Sequence, residues 1–273
     1  MSENKPEAPP IGRLLAARRR DVIRREVERH GGARVRDLVE LLGVSPMTIR
    51  RDIDVLADDG HVLRVHGGAA INPKSGPASS DEPSFDAKSR RQFGEKFAIA
   101  SAAFEMIKPG SSIGITAGTT TVQLAGLLSE IEDLLVVTNS VAVAELLPGK
   151  QRRNVTVLVT GGIRTPSRAL VGPVADSALA NLHLDQLFLG VHGMAEGTGY
   201  TSPNLLEAQT LKVFVEASES VIVLADHTKW GTVGLSSIGP LGIADAIVTD
   251  RLMSDEAIST LEGQVGRVIV AGN

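Results

Sequence analysis

The feature that most limits how this chain can fold is a break near its first quarter. Asn72 to Ser84 reads NPKSGPASSDEPS, with three prolines, four serines, one glycine and no large apolar side chain. Such a segment has nothing to bury and reads as a linker. The chain therefore poses two folding problems, a short one over 13–71 and a long one over 85–273, behind a tail at 1–12. The 273 residues fit about two domains.

Charge divides at the same place. Residues 1–70 carry 13 Lys+Arg against 11 Asp+Glu, and 12 of those 13 cations are arginine; residues 71–273 carry 15 against 21. A net +2 beside a net −6 suggests a small module facing a polyanion, joined to an acidic partner module. The absence of cysteine excludes disulfide scaffolds, thiol catalysis, iron–sulfur clusters and cysteine zinc sites. The histidines have no metal-ligand spacing, so no metal site is expected. No apolar run is long enough to span a membrane, and Met1–Pro10 has no apolar signal core. The expected location is the cytoplasm.

The short part predicts three helices and a hairpin. Arg18–Arg29 carries Val22, Ile23 and Val27 as an apolar stripe. Val35–Leu42 follows, with Leu38, Leu41 and Leu42 expected inside. The third helix has a strong start: Ser45 as N-cap, Pro46 at the first turn, and Val44 and Ile49 as a hydrophobic staple. Ile49, Ile53 and Leu56 form its buried face, and Gly60 is expected to end it. Val62–Ala70 has the length of a hairpin, with Gly67-Gly68 as its turn or exit. Two short helices joined by a glycine turn, then a hairpin, make a winged helix-turn-helix. The N-terminal residues of the second helix would enter the major groove, which nominates Ser45, Met47, Thr48, Arg50 and Arg51. Arg64 and His66 would extend the contact from the wing.

The long part alternates apolar runs with helical stretches. Strands are expected at Ser112–Ile115, Leu134–Thr138, Val155–Val159, Gln186–Leu189, Val221–Leu224, Ala246–Thr249 and Val268–Val270. Helices are expected at Asp86–Ile107, Thr120–Leu128, Val141–Leu147, Pro173–Ala180, Leu205–Ala217 and Asp255–Leu261. With aromatics at only 3%, these strands are Val/Ile/Leu runs, which argues an α/β domain around a mostly parallel sheet. Ligands of such sheets sit beyond the strand C-termini. Ala117, Gly118, Thr119, Thr120 and Thr121 lie at one such end, where helix N–H groups attract phosphate. Gly161 and Gly162 would admit a ligand at another. Asn139 would cap its helix or reach the ligand. Asp226 could accept sugar hydroxyls while Lys229 neutralises phosphate, and Glu207 sits in the first turn of its helix.

Three groups of motifs occur in sequence: LVELLGVSPMTIRRDIDVLADDGHVLRVHGGA at 38–69; IGITAGTTT at 113–121 with VVTNS and Gly161-Gly162; and ALVGPVA, FLGVHG and ADHTKWG with VTD at 248–250. In this order and spacing the chain resembles a bacterial DeoR-family transcriptional regulator, from residue 13 to the end. The resemblance implies a repressor that binds operator DNA as a homodimer or homotetramer. It also implies a sensor domain like ribose-5-phosphate isomerase that takes a phosphorylated sugar or related metabolite as effector. Arg91 and Lys96 match basic positions of the family pattern. The chain departs from that pattern at Thr116 and His192, where many members have Asp, and at Thr228, where many have Ser. No cofactor and no catalytic residue are implied. The competing reading is a sugar-phosphate isomerase or deaminase with an appended DNA module.

Overall fold

The structure is a computed structural model that describes residues 16–58, 61–65, 67–71, 85, 89, 91–147 and 155–272. The expected tail, the linker, His66 and Gly60 lie outside these residues. The chain divides into two compact units, Met1–Glu82 and Pro83–Asn273.

In the first unit, helices α1 (Ala16–His30), α2 (Val35–Leu42) and α3 (Pro46–Asp58) pack around Ile23, Val27, Leu38, Leu42, Ile49, Ile53 and Leu56. Gly43 takes a left-handed conformation (φ 64°) and closes α2 by donating its N–H to Val39 O. That is the turn a glycine permits at little cost. Leu41, expected inside, is 44% exposed. It sits 300° around the helix from Leu38, off the stripe shared by Leu38 and Leu42. Ser45 caps α3 as expected, its Oγ accepting from Thr48 N–H at 3.2 Å. Ser45→Ala should cost about 1 kcal/mol of this unit's stability, read as a lowered denaturant midpoint without a change in slope.

The hairpin forms from β2 (Val62–Val65) and β3 (Gly68–Ile71). A further strand, β1 (Gly32–Arg34), joins it to give the order β1-β3-β2. β1 begins at Gly32, where a Cβ would stand 3.1 Å from Ala69 O of β3.

The second unit is a three-layer sandwich. Strands β4 (Ser112–Ile115), β5 (Leu135–Thr138), β6 (Thr156–Val159), β9 (Leu184–Gly190), β12 (Ser218–Leu224), β14 (Ala246–Asp250) and β15 (Val268–Ala271) form one seven-stranded sheet in the order β15-β14-β12-β9-β4-β5-β6. Every pairing in it is parallel. Alternate residues feed opposite faces: Leu187, Leu189, Val221, Val223 and Ile247 enter one apolar cluster, and Phe188, Ile222, Leu224 and Val248 the other. Burial on both faces explains why these strands are uninterrupted apolar runs. One face carries α4 (Phe93–Phe104) and α5 (Thr119–Leu127), and the other α8 (Leu205–Glu216) and α9 (Asp255–Glu262). Between them in sequence lie α6 (Val141–Leu146) and α7 (Pro173–Leu179).

The expected helix Asp86–Ile107 is shorter. It starts at Phe93, because Gln92 adopts a left-handed φ of 47° that breaks the helical path. Two small antiparallel pieces were not foreseen: the pair β7 (Ile163–Arg164) and β8 (Leu170–Val171), and the sheet β10 (Gly193–Ala195), β11 (Gly199–Ser202) and β13 (Ser236–Gly239). Their strands are too short to show a period of two in the sequence.

Candidate functional site

On α3, two acids close to Arg50 and Arg51 in sequence are committed elsewhere. Asp52 is buried and grips Arg19 of α1 through two contacts, Nε–Oδ2 at 2.5 Å and Nη2–Oδ1 at 3.2 Å. Asp54 holds Arg64 of β2, Nη1–Oδ1 at 2.7 Å. Among the described residues Arg50 and Arg51 form no ion pair, and both are exposed. They look in different directions. Arg50 lines a groove between α3 and the hairpin with Arg64, and Arg51 lines a groove between α1 and α3 with Met47 and Thr48. Met47 is 66% exposed, a position an apolar side chain leaves to water only at some cost. The Ser45 and Thr48 hydroxyls bond each other at 2.9 Å, so part of their capacity serves the cap.

In the second unit the chain runs outward from β4 to β5 and β6, then returns to the other side of β4 as β9. The strand order reverses between β4 and β9, and a crevice beyond the strand ends at such a point is the usual ligand site of this architecture. The N-terminus of α5 opens there. A Cβ on Gly190 would stand 3.4 Å from Ala117 O, so the two strand ends meet almost backbone to backbone. Thr116 Oγ1 accepts from Gly190 N–H at 2.9 Å. Asn139 Oδ1 accepts from Ala117 N–H at 3.0 Å. The Thr121 hydroxyl donates back to Thr116 O at 2.7 Å and is fully buried. Thr121 and Asn139 thus brace the loop, leaving the first N–H groups of α5 and the half-buried Thr119 to face the crevice. Asn139 is not the cap of α6. Ser140 is, accepting from Val143 N–H at 3.2 Å.

A second polar group gathers at the same edge of the sheet. Asp226, past the end of β12, is 1% exposed, and its Oδ1 accepts from Thr228 N–H at 3.0 Å and from the Thr228 hydroxyl. Its Oδ2 has no hydrogen-bond partner and lies 4.0 Å from the buried Lys96 Nζ. Lys96 also donates to Arg91 O. Burial pulls the Lys96 amine below its ordinary value; Asp226 opposes that shift, while Lys229 and Arg91 add to it. Those two influences place Arg91, Lys96, Lys229 and Asp226 in one electrostatic neighbourhood. Arg91 sits in a turn before α4 and not on that helix.

Two expectations change character. Gly161 and Gly162 have φ of 72° and 117°, and a Cβ on Gly162 would overlap Val171 O at 2.6 Å. They are glycines because the β7–β8 hairpin closes against itself there. Glu207 accepts from Thr165 Oγ1 at 2.6 Å, from Ser167 Oγ, and from Ser202 Oγ at 3.4 Å. It ties that hairpin to α8, whose N-cap is Asn204. Sequence reasoning also missed His227, whose Nδ1 lies 3.0 Å from Asp250 Oδ1. Partners 23 or 40 residues apart leave no local pattern to find.

Among the described residues there is no cluster of His, Asp and Glu fit to hold a metal, and no helix long and apolar enough to cross a membrane.

Comparison with known proteins settles the kinship. Residues 19–75 match the DeoR-like helix-turn-helix domain, and residues 91–251 match the DeoR C terminal sensor domain. The chain belongs to the DeoR family. It is 32% identical over 224 residues to the glycerol-3-phosphate regulon repressor of Escherichia coli K12, covering 82% of this chain and 86% of that one. It is also 32% identical over 259 residues to the HTH-type transcriptional regulator GlpR of Haloferax volcanii, covering 95% and 99%. Among solved structures it is similar to a D-ribose-5-phosphate isomerase, at 17% identity over 50% of this chain and 52% of that one, with a TM-score of 0.35. As a DeoR-family member the chain is a DNA-binding transcriptional regulator, with a helix-turn-helix unit and a sensor unit.

Proposed function

We propose that this DeoR-family regulator is a repressor of carbohydrate-metabolism genes, released from its operator by a phosphorylated sugar or related metabolite. Met47, Thr48, Arg50 and Arg51 are its DNA contacts on α3. The observation that carries the sensor half is the α5 N-terminus at the β4–β9 reversal, on the strand-end edge that also holds Lys96, Lys229 and Arg91. Helix N–H groups, the buried Lys96, the half-buried Lys229 and the exposed Arg91 suit a phosphate dianion. Thr119, Thr120 and the Asn139 amide supply further hydrogen bonds, and Asp226 fixes Lys96. The site binds without turnover, the chain works as a homodimer or homotetramer, and it resides in the cytoplasm, on the nucleoid when bound.

The test is a selection of genomic fragments by the purified protein at fixed salt, with and without inorganic phosphate, glycerol 3-phosphate, pentose 5-phosphates and hexose 6-phosphates. Salt is fixed because phosphate contacts make affinity strongly salt-dependent. One enriched motif, lost with one phosphate ester, is the expected result. Arg51→Ala should weaken binding to that motif by about 5- to 150-fold, the range of one base-contacting arginine. Lys229→Ala should leave DNA binding intact and blunt the response to the ester. Enrichment of no motif in any condition, together with saturable turnover of an ester, would move the isomerase reading to the front.

A further inference from the structure

The groove between α3 and the wing is lined by Arg50, Asp54, Arg64, Val65, Gly67 and Gly68. Two of its three charged side chains are already engaged, Arg64 Nη1 lying 2.7 Å from Asp54 Oδ1. The pairing is a charge contact and not an aligned hydrogen bond, since Asp54 Oδ1 has no hydrogen-bond partner. Asp54 Oδ1 itself is buried at the contact, but the rest of both side chains reaches water, Arg64 being 65% and Asp54 42% exposed. Exposed pairs of this kind hold weakly and exchange readily. A DNA phosphate can displace Asp54 here, because it can take two N–H groups of Arg64 where Asp54 offers one unaligned contact, and because its neutralisation releases a counterion. Asp54 itself can only repel a phosphate.

We propose that Asp54 sets the sequence discrimination of this regulator by holding Arg64 in an ion pair that a DNA phosphate must break. On arbitrary sequence α3 seats loosely, Arg64 stays with Asp54, and the wing adds little. At a fitting site α3 seats closely, a backbone phosphate comes within reach, and Arg64 changes partner. The wing's grip is then spent where α3 has already read the bases. This rests on the reading of α3 and the wing as the DNA-facing surface.

The experiment uses the full chain, a random-sequence duplex and the duplex enriched in the selection above, each titrated across a salt series. Asp54→Asn should tighten binding to the random duplex about tenfold and to the enriched duplex less than threefold. Its salt dependence on random DNA should steepen by about 0.9, the slope of one added phosphate contact. Arg64→Ala combined with Asp54→Asn should return the random-duplex affinity and slope to wild-type values. Asp58→Asn removes the same charge from the exposed end of α3 and should gain less than twofold. Equal gains from Asp54→Asn and Asp58→Asn, or a gain that survives loss of Arg64, would mean a general field effect and overturn the proposal. Arg51→Ala separates the two failures. If it leaves both affinities intact, the surface itself is misread. If it weakens binding while Asp54→Asn changes nothing, only the role of Asp54 is wrong.

Discussion

Asp52→Ala is expected to unfold the DNA-binding unit near physiological temperature while the sensor unit keeps its transition. Asp52 and Arg19 are 7% and 14% exposed at the side chain, and two contacts join them across 33 residues of sequence. Removing the carboxylate takes two contacts from a guanidinium held between α1 and α3. Losing one side of a buried pair costs about 3 kcal/mol or more. A unit of this size has little to spare, because the nine buried core side chains among the described residues supply only a few kcal/mol of net stability. Scanning calorimetry of the full chain is the measurement. The first transition should move down by ten degrees or more, and specific DNA binding at 37 °C should vanish. A shift under about two degrees would show the pair to be a spectator. Asp52→Asn, which keeps one acceptor oxygen, should fall between.

The second large effect is expected from Asp226→Asn in the sensor. Lys96 is 4% and Asp226 1% exposed, so the charge on one is tolerated because of the other. Without Asp226, Lys96 loses the larger of the two influences that raise its pKa and keeps only Glu95, while burial, Lys229 and Arg91 still lower it. The folded state then resists protonation of Lys96 more than the unfolded chain does. Stability therefore rises with pH between the depressed folded value and the ordinary lysine value of 10.5. The variant should be less stable than wild type by about 3 kcal/mol at neutral pH, with the deficit shrinking as pH climbs toward 10.5. Thermal melts at a series of pH values decide it. A deficit independent of pH would assign the loss to packing and not to the lysine charge.

Much of this molecule is legible in its sequence, for reasons that differ by element. The seven strands of the parallel sheet are continuous Val/Ile/Leu runs because helices cover both faces, and that signal needs no partner to be seen. The start of α3 is equally plain, since Ser45 and Pro46 act locally. What stayed hidden depends on contacts distant in sequence. Asp52 follows Arg50-Arg51 in sequence but answers to Arg19, and Asp54 answers to Arg64. Gly162 lies against Val171 O, and Glu207 accepts from Thr165, Ser167 and Ser202. Leu41 was misplaced through counting an adjacent leucine as part of the stripe. The turn at 117–121 was readable because it is a local strand-to-helix turn, but which of its threonines look outward depended on packing against β9.

The position of β4 also governs when this protein becomes regulable. Its two neighbours are β5, reached about twenty residues later, and β9, whose Phe188 accepts the Thr116 amide from 72 residues downstream. Contacts so distant close slowly, and until they do a strand edge stands open. The helix-turn-helix unit is built from near neighbours and is complete long before that. During synthesis, then, the part that binds DNA precedes the part proposed to sense the effector. A chain that stalls or is cut before β9 is expected to keep its DNA-binding unit and to lack the proposed response to a phosphate ester.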